Sequence, residues 1–165
     1  MRNTVLALAA VAALAACASR PEPTPTPTGP TTPPVETPRG PVPGSAEDFR
    51  VSVGDRVFFG YDRFDLTPEA RSVLERQAAW LRQYPNVRIL VAGNCDERGT
   101  REYNLALGAR RAAAARDYLV SLGVAANRVE TVSYGKERPL DPRANEEAWS
   151  VNRNSHTQIV SGAVS

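Results

Sequence analysis

The chain has 165 residues and a formal net charge of +2, from 20 basic and 18 acidic side chains. That balance disfavours a nucleic-acid binder, which neutralises phosphates with a clear basic excess. Two cysteines, Cys17 and Cys95, and one histidine, His156, leave no material for a disulfide scaffold, a cysteine-built zinc site or a histidine-rich metal centre. No metal or cofactor is expected.

Residues 1–16 read as a signal peptide. Arg2 gives a cationic start, and Thr4 to Ala16 is a run of Val, Leu and Ala. The run is shorter than the about 20 apolar residues that span a bilayer, so it reads as an h-region. Its end, Leu14–Ala15–Ala16–Cys17, resembles a bacterial lipobox, in which the cysteine sulfur receives a diacylglyceryl group and becomes the new N-terminus. Cys17 is the expected lipidation site. Ala18 follows it rather than Asp, which by the same resemblance favours the outer membrane over the inner. Residues 17–45 then form a tether. Ten of the chain's 14 prolines fall between Pro21 and Pro43. Proline fixes φ and lacks an N–H, so neither helix nor sheet forms there. Extended as polyproline II, about 26 residues reach on the order of 80 Å.

The folded domain is expected over residues 46–165. Arg56 to Phe59 is a short strand. Thr67 caps a helix with Pro68 at its first position, and Ala70, Val73, Leu74, Ala78 and Leu81 give it one apolar face. Val87 to Ala92 is a second strand. Thr100 caps a long helix to about Leu122, with Gly123 as its stop. Val129 to Tyr134 is a third strand, Asn145 to Asn152 a short helix and Thr157 to Val160 a last strand. The fold class is α/β, an α+β sandwich: a βαβαβ core, a short third helix and a fourth strand, with helices packed on a mixed sheet.

The loop Gly93 to Thr100 lies where α/β folds place ligands, at the C-terminal end of a strand. On the helix after it, Leu105, Ala109, Ala112, Ala113 and Val120 project to one sector, the expected core face. Asn104, Leu107 and Arg111 share a different sector. Asp96 in the loop and Arg111 on the helix, with Leu107 between, suit a zwitterion: ammonium to the acid, carboxylate to the planar guanidinium. A solvated helix face with a local Asp–Arg ion pair is the other reading of the same spacing. Trp80 and Trp149 read as helix-packing residues rather than sugar platforms. Cys95, His156 and Asp96 form a conceivable cysteine-hydrolase set, although no nucleophile motif surrounds them.

Asn94–Cys95–Asp96–Glu97–Arg98–Gly99–Thr100–Arg101–Glu102–Tyr103–Asn104, followed by Leu107–Gly108 and Arg110–Arg111, resembles the signature of OmpA-like peptidoglycan-binding domains. Val132 to Pro139, Glu146–Glu147–Ala148 and Asn152–Arg153 are similar to the lipoprotein members of that family. The resemblance implies non-covalent binding of the diaminopimelate-containing stem peptide of peptidoglycan, with no catalysis. It implies that Asp96 and Arg111 hold the diaminopimelate ammonium and carboxylate, that Asp62 and Leu107 line the same pocket, and that Asn104 orders the loop. It also implies docking to TolB, a β-propeller protein of the Tol system. The chain departs from the family pattern at Asn94–Cys95, where many members have His before a small residue, at Gly60, and at Asn154 after Arg153. A cell-wall-peptide hydrolase using Cys95 is the alternative function. A stator subunit is disfavoured because no spanning run of about 20 residues precedes the linker.

Overall fold

The three longest helices each open on a polar side chain that accepts a hydrogen bond from a backbone N–H of the first turn. In the computed structural model, which describes residues 40–164, Thr67 accepts from Ala70 N at 3.2 Å and starts α2, Pro68–Gln83. Thr100 accepts from Tyr103 N at 3.2 Å and starts α3, Arg101–Ser121. Asn145 accepts from Ala148 N at 2.9 Å and starts α4, Glu146–Asn152. The expected signal peptide, Cys17 and nearly all of the tether lie outside the described residues. A short α1, Ala46–Asp48, runs directly into a π-helical turn, Phe49–Val53. This segment has no helical periodicity long enough to be read from sequence. Its Phe49 ring meets Trp80 of α2 edge-on at 5.0 Å between centroids, and the Trp80 indole N–H donates to Asp48 at 2.9 Å.

Strands β1 (Arg56–Phe58), β2 (Arg88–Asn94), β3 (Val129–Gly135) and β4 (Asn154–Ser161) form one mixed sheet in the order β1-β4-β2-β3. β2 and β3 are parallel neighbours joined by α3, while β4 runs antiparallel between β1 and β2. The α/β sandwich expected from the element order is therefore present, with the fourth strand inserted at its centre. β4 begins three residues before the expected Thr157. Asn154, Ser155 and His156 carry polar side chains that read as loop, yet all three pair with β1, and Ser155 and His156 also pair with β2. α2 and α3 pack against the sheet around Leu74, Leu81, Ile89, Val91 and Leu119, all buried. Each such aliphatic side chain contributes about 1.5–3 kcal/mol relative to exposure. Among the described residues no helix is long and apolar enough to cross a membrane.

One close approach fixes the site's geometry. Gly93 of β2 and Gly108 of α3 face each other backbone to backbone, so a Cβ on Gly93 would collide with the Gly108 carbonyl. A Cβ on Gly108 would meet both the Ser133 hydroxyl and the Gly93 carbonyl. The Ser133 hydroxyl donates to Leu105 O at 2.7 Å and ties α3 to β3 at the same level. The first turns of α3 thus sit directly against the end of β2, where the following loop begins.

The side-chain sectors of α3 differ from the expectation. Its buried face is Asn104, Leu107, Gly108, Arg111, Ala112, Ala115 and Leu119. Ala109 is exposed, and Leu105, Ala113 and Val120 are only half-buried. The helix is rich in alanine, which marks no face, and the sequence projection set the arginine apart from the core sector. Asn104, Leu107 and Arg111 are not apart from the core face. They are its N-terminal half.

Candidate functional site

The loop Cys95 to Thr100 contains four successive carbonyls, of Glu97 to Thr100, that accept from surrounding side chains, and only Thr100 O also accepts a helical N–H, from Asn104 N at 3.1 Å. Asn104 Nδ2 donates to Arg98 O at 2.8 Å and to Thr100 O at 3.0 Å. Lys136 Nζ donates to Glu97 O at 3.0 Å and to Gly99 O at 2.7 Å. Cys95 N donates to Gly135 O at 2.8 Å and continues the β2–β3 ladder by one bond. The loop is therefore held by Asn104 and Lys136, two hydrogen bonds from each.

Against this loop lies a cleft of about 210 Å³ lined by Asp62, Asp96, Asn104, Leu107 and Arg111, together with Arg98, Tyr61 and Tyr103. The five residues singled out from the sequence thus converge on one cavity. Arg111 is 1 % exposed, the bulkiest of the fully buried side chains. Its guanidinium is held by three backbone carbonyls from separate segments. Nε donates to Arg63 O at 2.8 Å, Nη1 to Asn94 O at 2.8 Å and Nη2 to Gly60 O at 3.1 Å. The Phe59 ring lies 5.2 Å from its central carbon. Guanidinium has five N–H donors, so two are left over, one on each Nη. No described carboxylate lies within 4.0 Å of it. Burial pushes the Arg111 pKa down from its usual value, against the pull of Asp96. A buried cation of this kind is costly unless an anion joins it.

Asp96 is 4 % exposed and does not pair with Arg111. Its Oδ1 accepts from Arg98 N at 3.1 Å and Arg98 Nε at 3.2 Å. Its Oδ2 accepts from Arg98 Nη2 at 2.7 Å and Arg153 Nη1 at 3.3 Å. Burial raises its carboxyl, but the Arg98 hydrogen bonds and charge, with Arg153 behind, more than offset this and hold it below the usual carboxylate range. The reading of a local ion pair on the helix face is corrected accordingly: Asp96 pairs with Arg98 in its own loop and with Arg153 beside β4.

Asp62 stands on the rim, exposed, and accepts a hydrogen bond from the Tyr103 hydroxyl. Its φ of +54° is a left-handed conformation that aspartate tolerates better than bulkier residues. The same turn presents the Gly60 and Arg63 carbonyls to Arg111. Arg98, Tyr61, Tyr103 and Arg153 were not singled out from sequence. The signal for Arg98 is its i+2 spacing from Asp96, which suits a loop ion pair. Trp149, read as a helix-packing residue, is half-buried, donates to Glu97 at 3.1 Å and lines a separate cavity with Lys136 and Arg143. The Arg98 guanidinium lies 4.1 Å from its ring centroid and 4.2 Å from that of Tyr61. Trp80 does pack in the core.

Two departures from the family pattern turn out to be partners. Asn94 Nδ2 donates to Asn154 Oδ1 at 3.0 Å, and both are buried. The hydrolase alternative finds no geometry. The Cys95 thiol donates to Asn104 O at 3.4 Å, and burial pushes it up to about 11 despite the pull of Arg111. His156 is bonded to Asp55 at 3.1 Å and lines a different cavity with Arg56 and Gln158. A nucleophile and its base need to be within hydrogen-bond reach.

A family model described as the OmpA family matches residues 58–153. Two proteins named peptidoglycan-associated lipoprotein align over 121 residues, 73 % of this chain. That of Mesorhizobium japonicum is 58 % identical with 71 % of its length covered. That of Rhizobium meliloti is 56 % identical with 68 % covered. Among solved structures, the peptidoglycan-associated lipoprotein of Burkholderia pseudomallei is 40 % identical at a TM-score of 0.62, covering 64 % of this chain and 89 % of that one. The C-terminal domain of Helicobacter pylori MotB shares the fold, at 24 % identity and a TM-score of 0.61, covering 65 % of this chain and 84 % of that one.

Proposed function

We propose, from the premise that this chain belongs to the OmpA family and within it groups with the peptidoglycan-associated lipoproteins, that it is a non-catalytic outer-membrane lipoprotein that grips peptidoglycan. Arg111 takes the carboxylate and Asp96 the ammonium of the diaminopimelate in the stem peptide. Leu107 supplies the apolar contact between them, Asp62 closes the rim, and Asn104 keeps the loop in register. The observation that carries the reading is Arg111: a buried guanidinium, locked on three carbonyls, with two N–H groups unused and no described carboxylate within 4.0 Å. Two parallel N–H donors match a carboxylate, at about 1.5–3 kcal/mol for each charge-assisted bond.

Tethering is the mechanism. Acyl chains on Cys17 hold one end in the outer membrane, the proline-rich segment spans the gap, and the domain holds the wall. Two or more chains give stable anchoring. Peptidoglycan offers many identical stems, so rebinding at high effective concentration makes a modest-affinity pocket durable. The family resemblance adds TolB as a partner and a role in envelope integrity and constriction at division.

The test is co-sedimentation of the protein with purified sacculi. Arg111→Ala and Asp96→Ala are expected to abolish it while the circular dichroism spectrum is unchanged. Equal co-sedimentation of folded variants would remove the assigned pocket. Release of stem-peptide fragments that stops on Cys95→Ser would establish the hydrolase instead.

A further inference from the structure

A carboxylate offers about four lone-pair sites, and Asp96 uses all four. Its acceptors are filled by the Arg98 backbone N–H, two Arg98 guanidinium donors and one from Arg153. An incoming ammonium has no acceptor until one donor leaves. The Arg98 backbone N–H belongs to the loop that Asn104 and Lys136 fix. Arg153 is buried, and it also donates to Phe59 O at 3.1 Å and to Glu146 at 2.8 Å. The Arg98 side chain is the donor best placed to leave. It is about one-third exposed on the mouth of the cleft and has no backbone acceptor of its own, and its guanidinium is stacked between the Tyr61 and Trp149 rings, 4.2 and 4.1 Å from their centroids. Glu146, exposed and 3.8 Å from its Nη1, is placed to receive it.

Building on the zwitterion reading of the cleft, we infer that Arg98 is a built-in competitor for the ligand's ammonium: it holds Asp96 in the empty site and swings off when a ligand cation arrives. The device sets specificity. An amine alone exchanges one cation for another at Asp96 and gains little. A ligand that also brings a carboxylate to Arg111 gains a partner that the empty site lacks, and only that ligand displaces Arg98 with profit. The same exchange keeps the buried acid satisfied whether or not wall peptide is present.

The experiment titrates the full chain in detergent with L-alanyl-γ-D-glutamyl-meso-diaminopimelate and with the same tripeptide acetylated on its side-chain amine. Arg98→Met keeps an apolar stem between the two rings, and Arg98→Gln serves as the second variant. The expected result is that either variant binds the free-amine peptide at least threefold more tightly than the wild type, while the acetylated peptide gains less than threefold. In the wild type the free-amine peptide also changes tryptophan emission, because Arg98 leaves the Trp149 ring, and in Arg98→Met that change is lost. A free-amine gain below threefold, weaker binding, or an equal gain for both peptides overturns the inference. If the wild type binds neither peptide, the zwitterion reading itself falls; if it binds and the variants do not tighten, only the role of Arg98 falls.

Discussion

Arg111 and Arg128 are built alike and placed differently. Arg128, the last residue of the short 3₁₀ turn Ala126–Arg128, also donates to three backbone carbonyls: Val87 O at 2.8 Å, Leu81 O at 3.0 Å and Tyr84 O at 2.8 Å. Burial lowers its pKa as well. Two of its three acceptors belong to the end of α2, where carbonyls have no intrahelical partner and the dipole favours a cation. Arg128 is a helix cap, half-buried, with its remaining donors open to water. Arg111 gathers carbonyls from the turn after β1 and from the end of β2, is buried, and lines a cleft that contains an acid with two of its five donors left over. Carbonyl bonds alone do not mark a binding arginine. Burial without an anion, beside a cavity, does.

Mutation separates the two. The largest effect is expected for Arg111→Ala, which removes two charge-assisted bonds to the ligand and lowers stem-peptide affinity on the order of 100-fold, read by titration calorimetry. Arg111→Lys keeps charge but loses the fork, and is expected to recover only part of that loss. Asp96→Asn comes next, with a loss of about tenfold in affinity. Arg128→Ala is expected to leave affinity unchanged and to cost about 1–3 kcal/mol of stability in urea unfolding, from uncapping α2. Any loss of sacculus binding by folded Arg128→Ala would blur the distinction. The smallest effect is in pH dependence. Asp96 is held below its usual range in the fold, so its contribution to stability is present above the unfolded carboxylate pKa and fades as pH falls through the folded value. Asp96→Asn should flatten the acid limb of stability against pH, whereas Arg128→Ala should lower the whole curve without changing its shape.

Sequence reading reached the helices because their punctuation is local. Thr67–Pro68, Thr100 with Gly123, and Asn145 are side-chain and backbone signals that act within one turn. It did not reach the start of β4, because Asn154 and Ser155 are polar and their place in the sheet is decided by partners about 60 and 100 residues away. The same limit applies to the site. Asp96, Asn104, Leu107 and Arg111 were legible as neighbours from loop position and helical spacing. The burial of Arg111 was not, because its partners are the carbonyls of Gly60, Arg63 and Asn94, and a carbonyl carries no sequence signal. The saturation of Asp96 was equally hidden, since one of its donors, Arg153, lies immediately before the neighbouring strand β4 and 57 residues along the chain.

Arg111 is expected to meet a ligand carboxylate. A double-mutant cycle tests it directly: Arg111→Lys in the full chain against amidation of the diaminopimelate side-chain carboxyl in the tripeptide, with affinities from calorimetry. The expected coupling is about 1.5 kcal/mol or more, so that amidation costs the wild type at least about tenfold more than it costs the variant. Additive losses, with amidation costing both proteins equally, would contradict it.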